Sequence, residues 1–282
     1  MKVFFNGSII EDRDARLSVN DGGLLYGAGI FEIMRSCGAK VFAIADHLDR
    51  LFNSAGELGI HIPMEKAHLG EAVSSVLKAN PAGQYRIRLT VTSGPMVMGT
   101  DEPNPTVLIT SAPFEPYPAV LYETGITVVL NTARQNPTDP TAGHQVLNYF
   151  PRLIALDAAR RKMALEALWF TFENKLAEGS MSNIFIVKDG KLLTPSVNTP
   201  VVPGIVRRHV LAIAKANGIE TIEGDLFITD LLEADEVFVT STVMHIMPVT
   251  KVESHAVKDS RPGPITAKLT ATFAEAFKLQ TT

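Results

Sequence analysis

The hydrophobic pattern of the chain alternates between short apolar runs and longer stretches with helical spacing. Two helices are predicted in the first third, one from Asp46 as its N-cap to Leu58 and one from Glu65 to Ala79. In the first, apolar residues recur every three or four positions, which is typical of a helix with one buried face. Gly59 follows it and is expected to end it. Apolar alternation predicts strands from Tyr85 to Thr92 and from Thr106 to Thr110.

Two pairs of turn residues predict β-hairpins. Asn6-Gly7 and Asp189-Gly190 each lie between short apolar runs, and both pairs tolerate the positive φ that a two-residue hairpin turn needs. In the second half the pattern predicts strands at 126–130, 167–172, 236–240 and 247–252, and helices at 147–162, 203–218 and 263–278.

A proline-rich segment predicts the domain boundary. Ala112 to Pro118 contains three prolines, which exclude a helix and disfavour a central strand. We therefore predict a smaller domain over 1–113, a linker over 114–124 and a larger domain over 125–282. Strands and helices are interspersed in both parts, so the expected fold class is α/β, or α+β with mixed sheets.

Composition narrows the class of protein. Of 282 residues, 46% are apolar, and the net charge is −4 with both signs interspersed. A sizeable core is expected, and nucleic acid is not expected as the main partner, because binding phosphates needs clustered cations. Cys37 is the only cysteine, so neither an internal disulfide nor a thiolate metal cage is expected. No apolar run approaches the roughly 20 residues of a membrane helix, and the apolar run within Met1 to Asn6 is too short for that of a signal peptide. We therefore expect a cytoplasmic protein.

The most informative run is LAEGSMSNIF, from Leu176 to Phe185. It resembles the strand and turn of class IV aminotransferases, the fold-type IV enzymes that use pyridoxal 5′-phosphate (PLP). The resemblance extends from YGAGIFE (Tyr26 to Glu32), whose glycines allow close approach of the backbone to a ligand, to the strand at Pro248. It implies a two-domain fold with mixed sheets, PLP between the domains, and Glu178 bound to the pyridine nitrogen of the cofactor.

Three separate segments resemble those that hold the cofactor phosphate in this family. The segment HLDRL would present Arg50, whose guanidinium can bind phosphate oxygens bidentately. The helix start at Ile205 and Val206 would offer free backbone N–H groups. Val206 departs from the Thr that is usual in the family, which removes one hydroxyl donor. Ser241 and Thr242 would add hydroxyl and amide donors.

Further residues are assigned by the same resemblance. Tyr149 is expected to hydrogen-bond the phenolic oxygen of the cofactor. Val202 is either a contact on the ring face or an ordinary core residue. Phe31 would line the substrate side. From strand alternation, and not from the resemblance, Arg86 and Arg88 share a face of one predicted strand. Either one of them holds a substrate carboxylate or the pair serves as edge-strand charges.

Gln145 is the main departure from the family pattern. In the family a Lys three residues before an Asn-Tyr or similar pair forms the Schiff base with PLP, and GHQVLNY aligns with that segment. Gln145 takes the place of the Lys. A primary amide forms no imine and moves no proton at neutral pH. Lys162 and Lys175, the next lysines, fall in no matching segment. Whether Gln145 is natural or introduced is left open by the sequence.

Three functions are consistent with this pattern. The first is a homodimeric PLP protein that moves an amino group between an amino acid and a 2-oxo acid, or a related lyase, impaired or altered by Gln145. The second is a binding protein that holds PLP or another phosphorylated ligand without turnover. The third is an enzyme on the same fold that does not use PLP, with Glu178 or His144 as its acid–base group.

The loop from Gly94 to Gly99 is flanked by glycines and is a candidate cover for the pocket of a neighbouring subunit.

Overall fold

The computed structural model describes residues 1–96 and 104–281. Residues 97–103, into which the predicted Gly94–Gly99 loop extends, lie outside the described residues. Contacts divide the chain into two compact units. The first unit comprises Met1–Glu115, His144–Asn148 and Phe277–Thr282, and the second comprises Pro116–Gly143 and Tyr149–Ala276.

In its described residues, the first unit contains a six-stranded sheet and three α-helices. Its strands are β1 (Lys2–Phe5), β2 (Ser8–Glu11), β3 (Gly29–Cys37), β4 (Lys40–Val41), β5 (Gln84–Thr92) and β6 (Val107–Pro113). Its helices are α1 (Gly22–Tyr26), α2 (Ile44–Leu58) and α3 (Lys66–Ala79), with a 3₁₀ turn at Asp12–Asp14. The strand order is β2-β1-β6-β5-β3-β4, with every pair antiparallel.

One face of this sheet carries the core of the first unit. Ile87 and Leu89 on β5 are fully buried, whereas the residues between and beside them are more exposed. They pack with Met34 of β3, Leu51 of α2 and Val73 of α3. The period of two in β5 and the spacing of three to four in the helices are what brings these side chains to one layer.

The second unit is built on a nine-stranded mixed sheet. Its strands are β7 (Ile126–Gln135), β8 (Glu166–Thr171), β9 (Leu176–Gly179), β10 (Asn183–Lys188), β11 (Lys191–Pro195), β12 (Thr221–Gly224), β13 (Glu236–Ser241), β14 (His245–Val252) and β15 (His255–Ala256). Its helices are α4 (Ala119–Thr124), α5 (Phe150–Arg161), α6 (Ile205–Ala216), α7 (Ile228–Leu232) and most of α8 (Pro264–Thr281).

The sheet of the second unit combines both strand directions. The order is β12-β11-β10-β13-β14-β7-β8-β9, and β15 pairs with β14. The pairs β11–β12, β7–β14 and β7–β8 are parallel and the others antiparallel. All six residues of β8 are buried, as expected for a strand covered on both faces. The predicted class, α/β with mixed sheets, is confirmed.

Several element boundaries differ from the prediction. Helix α2 begins at Ile44 after Ala43 in a left-handed conformation, so Asp46 lies in its first turn and is not its N-cap. Helix α5 begins at Phe150 and not at Leu147, because the preceding residues pair with β3. The predicted linker range 114–124 contains helix α4. Both predicted hairpins form, β1–β2 and β10–β11.

Among the helices of the described residues, none combines the length and the apolar character that crossing a bilayer requires.

Candidate active site

Gln145 is fixed in the first unit by backbone pairing with the start of β3. The Phe31 N–H donates to the Gln145 carbonyl at 2.9 Å, and the Leu147 N–H donates to the Gly29 carbonyl at 2.9 Å. Ile30 and Val146 form the bridge between them. The glycines near this point approach the chain itself, since a Cβ on Gly27 would lie 3.2 Å from the Asn148 nitrogen. The close approach that the sequence assigned to a ligand is thus made, at Gly27, by the protein's own backbone.

This pairing places the Gln145 side chain beside a buried carboxylate, Glu32. Glu32 is 1% exposed. Arg50 binds it bidentately, with Nε donating to Oε1 at 2.7 Å and a terminal nitrogen donating to Oε2 at 2.6 Å. His47 Nδ1 lies 2.7 Å from Oε2, and Gln145 Nε2 donates to Oε2 at 3.4 Å. Four donors therefore surround this carboxylate, which is about as many as a carboxylate accepts.

Burial and ion pairing together set the charges of Glu32, Arg50 and His47. Burial alone would raise the pKa of Glu32, but Arg50 and His47 outweigh it and hold that pKa below its usual value. Burial lowers the pKa of His47 despite the bond to Glu32. Nε2 of His47 is buried and has no hydrogen-bond partner in the described structure, which also favours a neutral ring that donates from Nδ1. Glu32 is thus an anion paired with one cation, Arg50.

No lysine of the described structure replaces the one that Gln145 displaces. Every lysine of the chain lies in the described residues, and each is at least partly exposed. Lys162 pairs with Glu253 on the surface, and Lys175 pairs with Glu173 and Asp225. His144, next to Gln145, bonds to Ser54 through Nδ1 at 2.9 Å and lies near Glu57.

The candidate substrate residues of the first unit lie on the sheet face opposite the core. Arg86 and Arg88 share that face, as the alternation predicted, because the residues beside them on β5 are buried. The guanidinium of Arg88 lies 3.9 Å from the ring centroid of Phe31, which is itself buried. Arg88 Nε donates to Thr90 at 3.1 Å. Cation–π contact holds Arg88 over the position assigned to the substrate side.

In the second unit, Glu178 is a buried carboxylate at the end of β9, 2% exposed. Oε1 accepts from Arg152 at 2.5 Å and from Gln135 Nε2 at 3.3 Å. Oε2 accepts from the Val202 N–H at 3.0 Å. These are three donors from the described residues, so Oε2 retains capacity for about one more.

Arg152 and Tyr149 on α5 and its N-cap shape the surroundings of Glu178. Arg152 also donates to the Gly179 carbonyl at 3.0 Å. Glu178 raises the pKa of Arg152 although burial opposes it, so Arg152 is a permanent cation. The Tyr149 hydroxyl donates its one proton to the Ser180 carbonyl at 2.5 Å. While that bond is kept, the hydroxyl proton of Tyr149 is not available to a ligand.

Glu166 holds the turn that follows Glu178. Its carboxylate accepts from the N–H groups of Ala167 and Ser180, both at 2.9 Å, and of Met181 at 3.1 Å. The Ser182 hydroxyl donates to it at 2.8 Å. Burial raises the pKa of Glu166 even though these four donors favour the charged form. The EGSMS turn is therefore built around a buried carboxylate with no acceptor capacity left.

The phosphate-binding candidates of the second unit converge on Asn183. Asn183 pairs with Thr240 in the sheet, immediately before Ser241 and Thr242. Its Nδ2 donates to the Val202 carbonyl at 2.8 Å, and a Cβ on Gly204 would lie 1.9 Å from its Oδ1. The segments around Val202, the start of α6 and the end of β13 thus meet at one residue of β10.

The donors on these segments remain suited to an anion. Ile205 and Val206 begin α6 after Gly204, so their N–H groups have no acceptor within the helix. The Ser241 hydroxyl accepts from the Met244 N–H at 3.1 Å and keeps its own proton to donate. Arg207 on the same helix is buried against Glu223 and the Pro195 carbonyl.

Sequence reasoning missed Arg152, Gln135 and Glu166. Glu166 could have been found, because a lone carboxylate directly before the apolar run ALWF signals a buried charge. Arg152 follows Pro151 in a helix that also carries Arg160 and Arg161, and nothing in the spacing separates it from those exposed arginines. Gln135 lies at the end of β7 and carries no signal.

Comparison with known proteins gives the family. The profile of amino-transferase class IV matches residues 29–252. A protein of Methanocaldococcus jannaschii, provisionally named branched-chain-amino-acid aminotransferase, is 36% identical over 98% of this chain and 96% of its own length. The D-alanine aminotransferase of Listeria monocytogenes serotype 4b is 35% identical over the same shares.

Similar solved structures indicate the same family. The crystal structure of Escherichia coli branched-chain amino acid aminotransferase superposes with a TM-score of 0.93 at 30% identity, covering 100% of this chain and 96% of that one. The branched-chain aminotransferase of the archaeon Thermoproteus uzoniensis, solved with norvaline, superposes with a TM-score of 0.90 at 28% identity, covering 99% and 95%. The chain belongs to the class IV aminotransferase family, and the predicted resemblance is confirmed. The family is PLP-dependent, as predicted.

The residues present fit two of the three parts of PLP. Glu178 has an acceptor left for a protonated ring nitrogen. The start of α6 and the Ser241 hydroxyl supply donors for a phosphate. Gln145 supplies no amine for the aldehyde. The chain is therefore equipped to hold the cofactor without a covalent bond.

Proposed function

We propose that this protein binds pyridoxal 5′-phosphate noncovalently and transfers amino groups between an amino acid and a 2-oxo acid at a reduced rate. The observation that carries this proposal is the remaining acceptor of Glu178. Glu32 and Glu166 each accept four hydrogen bonds from described residues, whereas Glu178 accepts three. The names of the relatives, D-alanine and branched-chain-amino-acid aminotransferases, support the reaction class.

Glu178 would bind the ring. Its Oε2 accepts a hydrogen bond from the protonated pyridine nitrogen, a charge-assisted contact in a buried setting. Arg152 and the Val202 N–H hold the carboxylate in place for that contact. When bound, PLP supplies an electron-withdrawing ring that stabilises charge developing at the substrate α-carbon. Val202, whose backbone N–H binds this carboxylate, is a candidate ring contact.

The phosphate would be bound by donors on separate segments. Ile205 and Val206 contribute backbone N–H groups at the positive end of the α6 dipole. Ser241 and Thr242 contribute hydroxyl groups. Arg50, in the first unit, is a phosphate candidate by the family resemblance alone, and its guanidinium is held there by Glu32.

Gln145 limits the rate. Its amide neither takes nor gives a proton at neutral pH, so it cannot move the proton of the substrate α-carbon. Loss of a positioned acid–base group typically costs about 10²–10⁴ in rate, and loss of the covalent exchange route adds to that. The reduced rate follows from this one residue.

Restoring the lysine tests the proposal. With PLP and borohydride, Gln145→Lys should retain the cofactor mass under denaturing conditions, whereas the unmodified chain should release it. Native mass spectrometry should show one cofactor on both before denaturation. The matched control is Lys175→Gln, which removes a surface lysine and should change neither result. If Gln145→Lys binds no PLP at all, the proposal is wrong.

A second candidate is a binding protein without turnover. The exposure of every lysine of the chain favours it, because no other amine in the described structure is placed to substitute for the missing one. Single-turnover transamination separates the two candidates. Formation of a 2-oxo acid from a panel of D- and L-amino acids, abolished by Glu178→Ala, supports transfer; its absence supports binding alone.

Substrate binding and assembly complete the proposal. We propose that Arg88, steadied over Phe31, or Arg86 beside it holds the substrate carboxylate, and that the protein is a homodimer. Arg88→Met should raise KM for the oxo acid with little change in kcat, because the lost contact is made in ground and transition states alike. Light scattering should give twice the mass of one chain.

A further inference from the structure

Asn183 holds the residue that binds the Glu178 carboxylate. A backbone carbonyl only accepts hydrogen bonds, so the part of the Asn183 amide that faces the Val202 carbonyl must be its NH₂ group. The structure shows this orientation, with Nδ2 donating to the Val202 carbonyl at 2.8 Å. The Val202 N–H in turn donates to Glu178 Oε2 at 3.0 Å. The two polar backbone groups of Val202 therefore connect Asn183 to the carboxylate assigned to the ring.

The oxygen of the same amide lies against the start of α6. A Cβ on Gly204 would lie 1.9 Å from Asn183 Oδ1. Gly204 has φ −63° and ψ 138°, a conformation that any residue adopts. The approach of the amide, and not the backbone, is therefore what requires glycine here. Ile205 and Val206 follow directly and carry the free N–H groups of the helix start.

Burial and strand pairing hold Asn183 itself in place. The residue is buried and pairs with Thr240 on β13, one position before Ser241. Asn183, Val202, Gly204 and Thr240 all belong to the second unit. One buried side chain thus contacts, within a single unit, both the segment that holds the ring carboxylate and the segment that begins α6.

We propose that Asn183 is a positioning residue that fixes the ring contact at Glu178 and the phosphate donors at the start of α6 relative to each other, so that binding at one end of the cofactor favours binding at the other. Without the Asn183 amide, the segment from Val202 to Gly204 loses this attachment to β10. Ligand binding then has to order that segment, which costs affinity. This inference rests on the proposed function, because it assumes that the ring and the phosphate bind at these two places.

Two ligands measure the positioning. 4′-Deoxypyridoxine 5′-phosphate carries the ring nitrogen and the phosphate of the cofactor but no aldehyde, and 4′-deoxypyridoxine lacks the phosphate as well. Calorimetry, direct or by competition, gives both dissociation constants. Their ratio is the contribution of the phosphate to affinity. Asn183→Ala should weaken binding of the phosphorylated ligand and reduce this contribution by about twofold to tenfold, the range of one net hydrogen bond.

Thr194→Val is the matched control. The Thr194 hydroxyl, buried on β11, donates to the Ile184 carbonyl at 2.7 Å. This variant therefore also removes one buried hydrogen bond from a side chain to a backbone carbonyl. It should lower the free energy of unfolding in chemical denaturation but leave both dissociation constants unchanged. A purely structural role for Asn183 would give the same result as the control.

Gly204→Ala tests the contact from its other side. Its Cβ should displace the Asn183 amide, so affinity for 4′-deoxypyridoxine 5′-phosphate should fall by a factor similar to that of Asn183→Ala. In the double variant the displaced atoms are absent, and Arg207 Cβ at 3.2 Å is the nearest neighbour that remains. Gly204→Ala should then cost little further affinity. A double-mutant cycle measures this difference.

The outcomes separate this inference from the proposed function. If Asn183→Ala weakens binding no more than Thr194→Val, or raises both dissociation constants by the same factor, the positioning role is overturned. If the costs of Asn183→Ala and Gly204→Ala add fully in the double variant, their contact is not the cause and the inference is again overturned. In each of these cases, binding of 4′-deoxypyridoxine 5′-phosphate by the unmodified chain leaves the proposed function standing. If the unmodified chain does not bind this ligand, both fail.

Discussion

Two buried glutamates, one in each unit, pair with an arginine and differ in what they leave open. Glu32 accepts four hydrogen bonds, two from Arg50 and one each from His47 and Gln145. Glu178 accepts three from the described residues, namely from Arg152, Gln135 and the Val202 N–H. The first is closed by the protein, and the second has room for one more donor. Burial and an ion pair alone therefore do not mark a ligand site.

The difference separates a carboxylate that organises the chain from one that faces a ligand. Glu32 ties β3, α2 and the Gln145 segment together. Glu166 does the same for the turn after β9. Glu178 is held just as firmly but keeps an acceptor for a ligand. The hydrogen-bonding capacity that remains on Glu178 is therefore the property that distinguishes it from Glu32 and Glu166.

The largest expected effect is on stability, from Glu32→Ala. This change leaves the buried His47 and the partly buried Arg50 without their anion, and breaking a buried ion pair costs about 3–5 kcal/mol. Chemical denaturation should show a loss of that size in the free energy of unfolding. The control is Glu173→Ala, an exposed ion-pair residue that should change little. A loss from Glu32→Ala no larger than that of the control would contradict a structural role for Glu32.

Glu178→Ala should weaken ligand binding more than it weakens the fold. Arg152 is partly exposed, so solvent can take over part of the lost pairing. The lost contact is one hydrogen bond to a charged group, and affinity for 4′-deoxypyridoxine 5′-phosphate should fall by about tenfold to hundredfold. Calorimetry measures the affinity and denaturation the stability. Unchanged affinity in this variant would exclude Glu178 as the ring contact.

Arg152→Met should raise the pKa of the bound ring nitrogen by about one unit. Arg152 is a cation on the same carboxylate as the ring nitrogen, and a like charge disfavours the protonated ring. Its removal favours protonation. The measurement is the pH titration of the ¹⁵N signal of ring-labelled ligand bound to the protein, with Arg160→Met on the exposed part of α5 as control. A pKa that falls or stays the same argues against this placement of Arg152.

The smallest expected effect concerns the pH dependence of stability. The folded-state pKa of His47 lies below its ordinary value of 6.5. As the pH falls below about 6.5, the unfolded chain takes up a proton that the folded chain refuses. Stability is therefore full above that pH and decreases below it, by at most about 1.4 kcal/mol per pH unit from this residue.

The variant His47→Leu should make this decrease shallower between about pH 6.5 and 5, even if its stability at pH 8 is lower. His61→Gln changes an exposed histidine and serves as control. Denaturation curves at several pH values give the slopes. Equal slopes for His47→Leu and the unmodified chain would show that His47 does not titrate in this way.

Sequence patterns predict the elements of this protein better than the contacts among them. Periodicity identifies β5 and α3, and the turn pairs identify both hairpins, because these signals are local. The predicted start of α5 is three residues too early. Residues 145–147 have no local signal for pairing with β3, since that pairing joins segments more than a hundred positions apart.

The candidate site likewise contains some residues that local motifs predict and others that they do not. Glu178 and the start of α6 are predicted from contiguous motifs, and hydrogen-bond donors lie at both in the structure. Arg152 and Gln135, which determine how much of Glu178 remains open, come from distant positions with ordinary surface signals. The number of hydrogen bonds that a carboxylate accepts from the protein depends on several segments at once. No single stretch of sequence therefore encodes it.

The most direct test of this account is a crystal structure of the unmodified chain with pyridoxal 5′-phosphate. We predict the ring nitrogen within about 2.6–3.2 Å of Glu178 Oε2. A ligand whose ring nitrogen faces any other group, or electron density that places the ligand away from Glu178 altogether, would contradict the account.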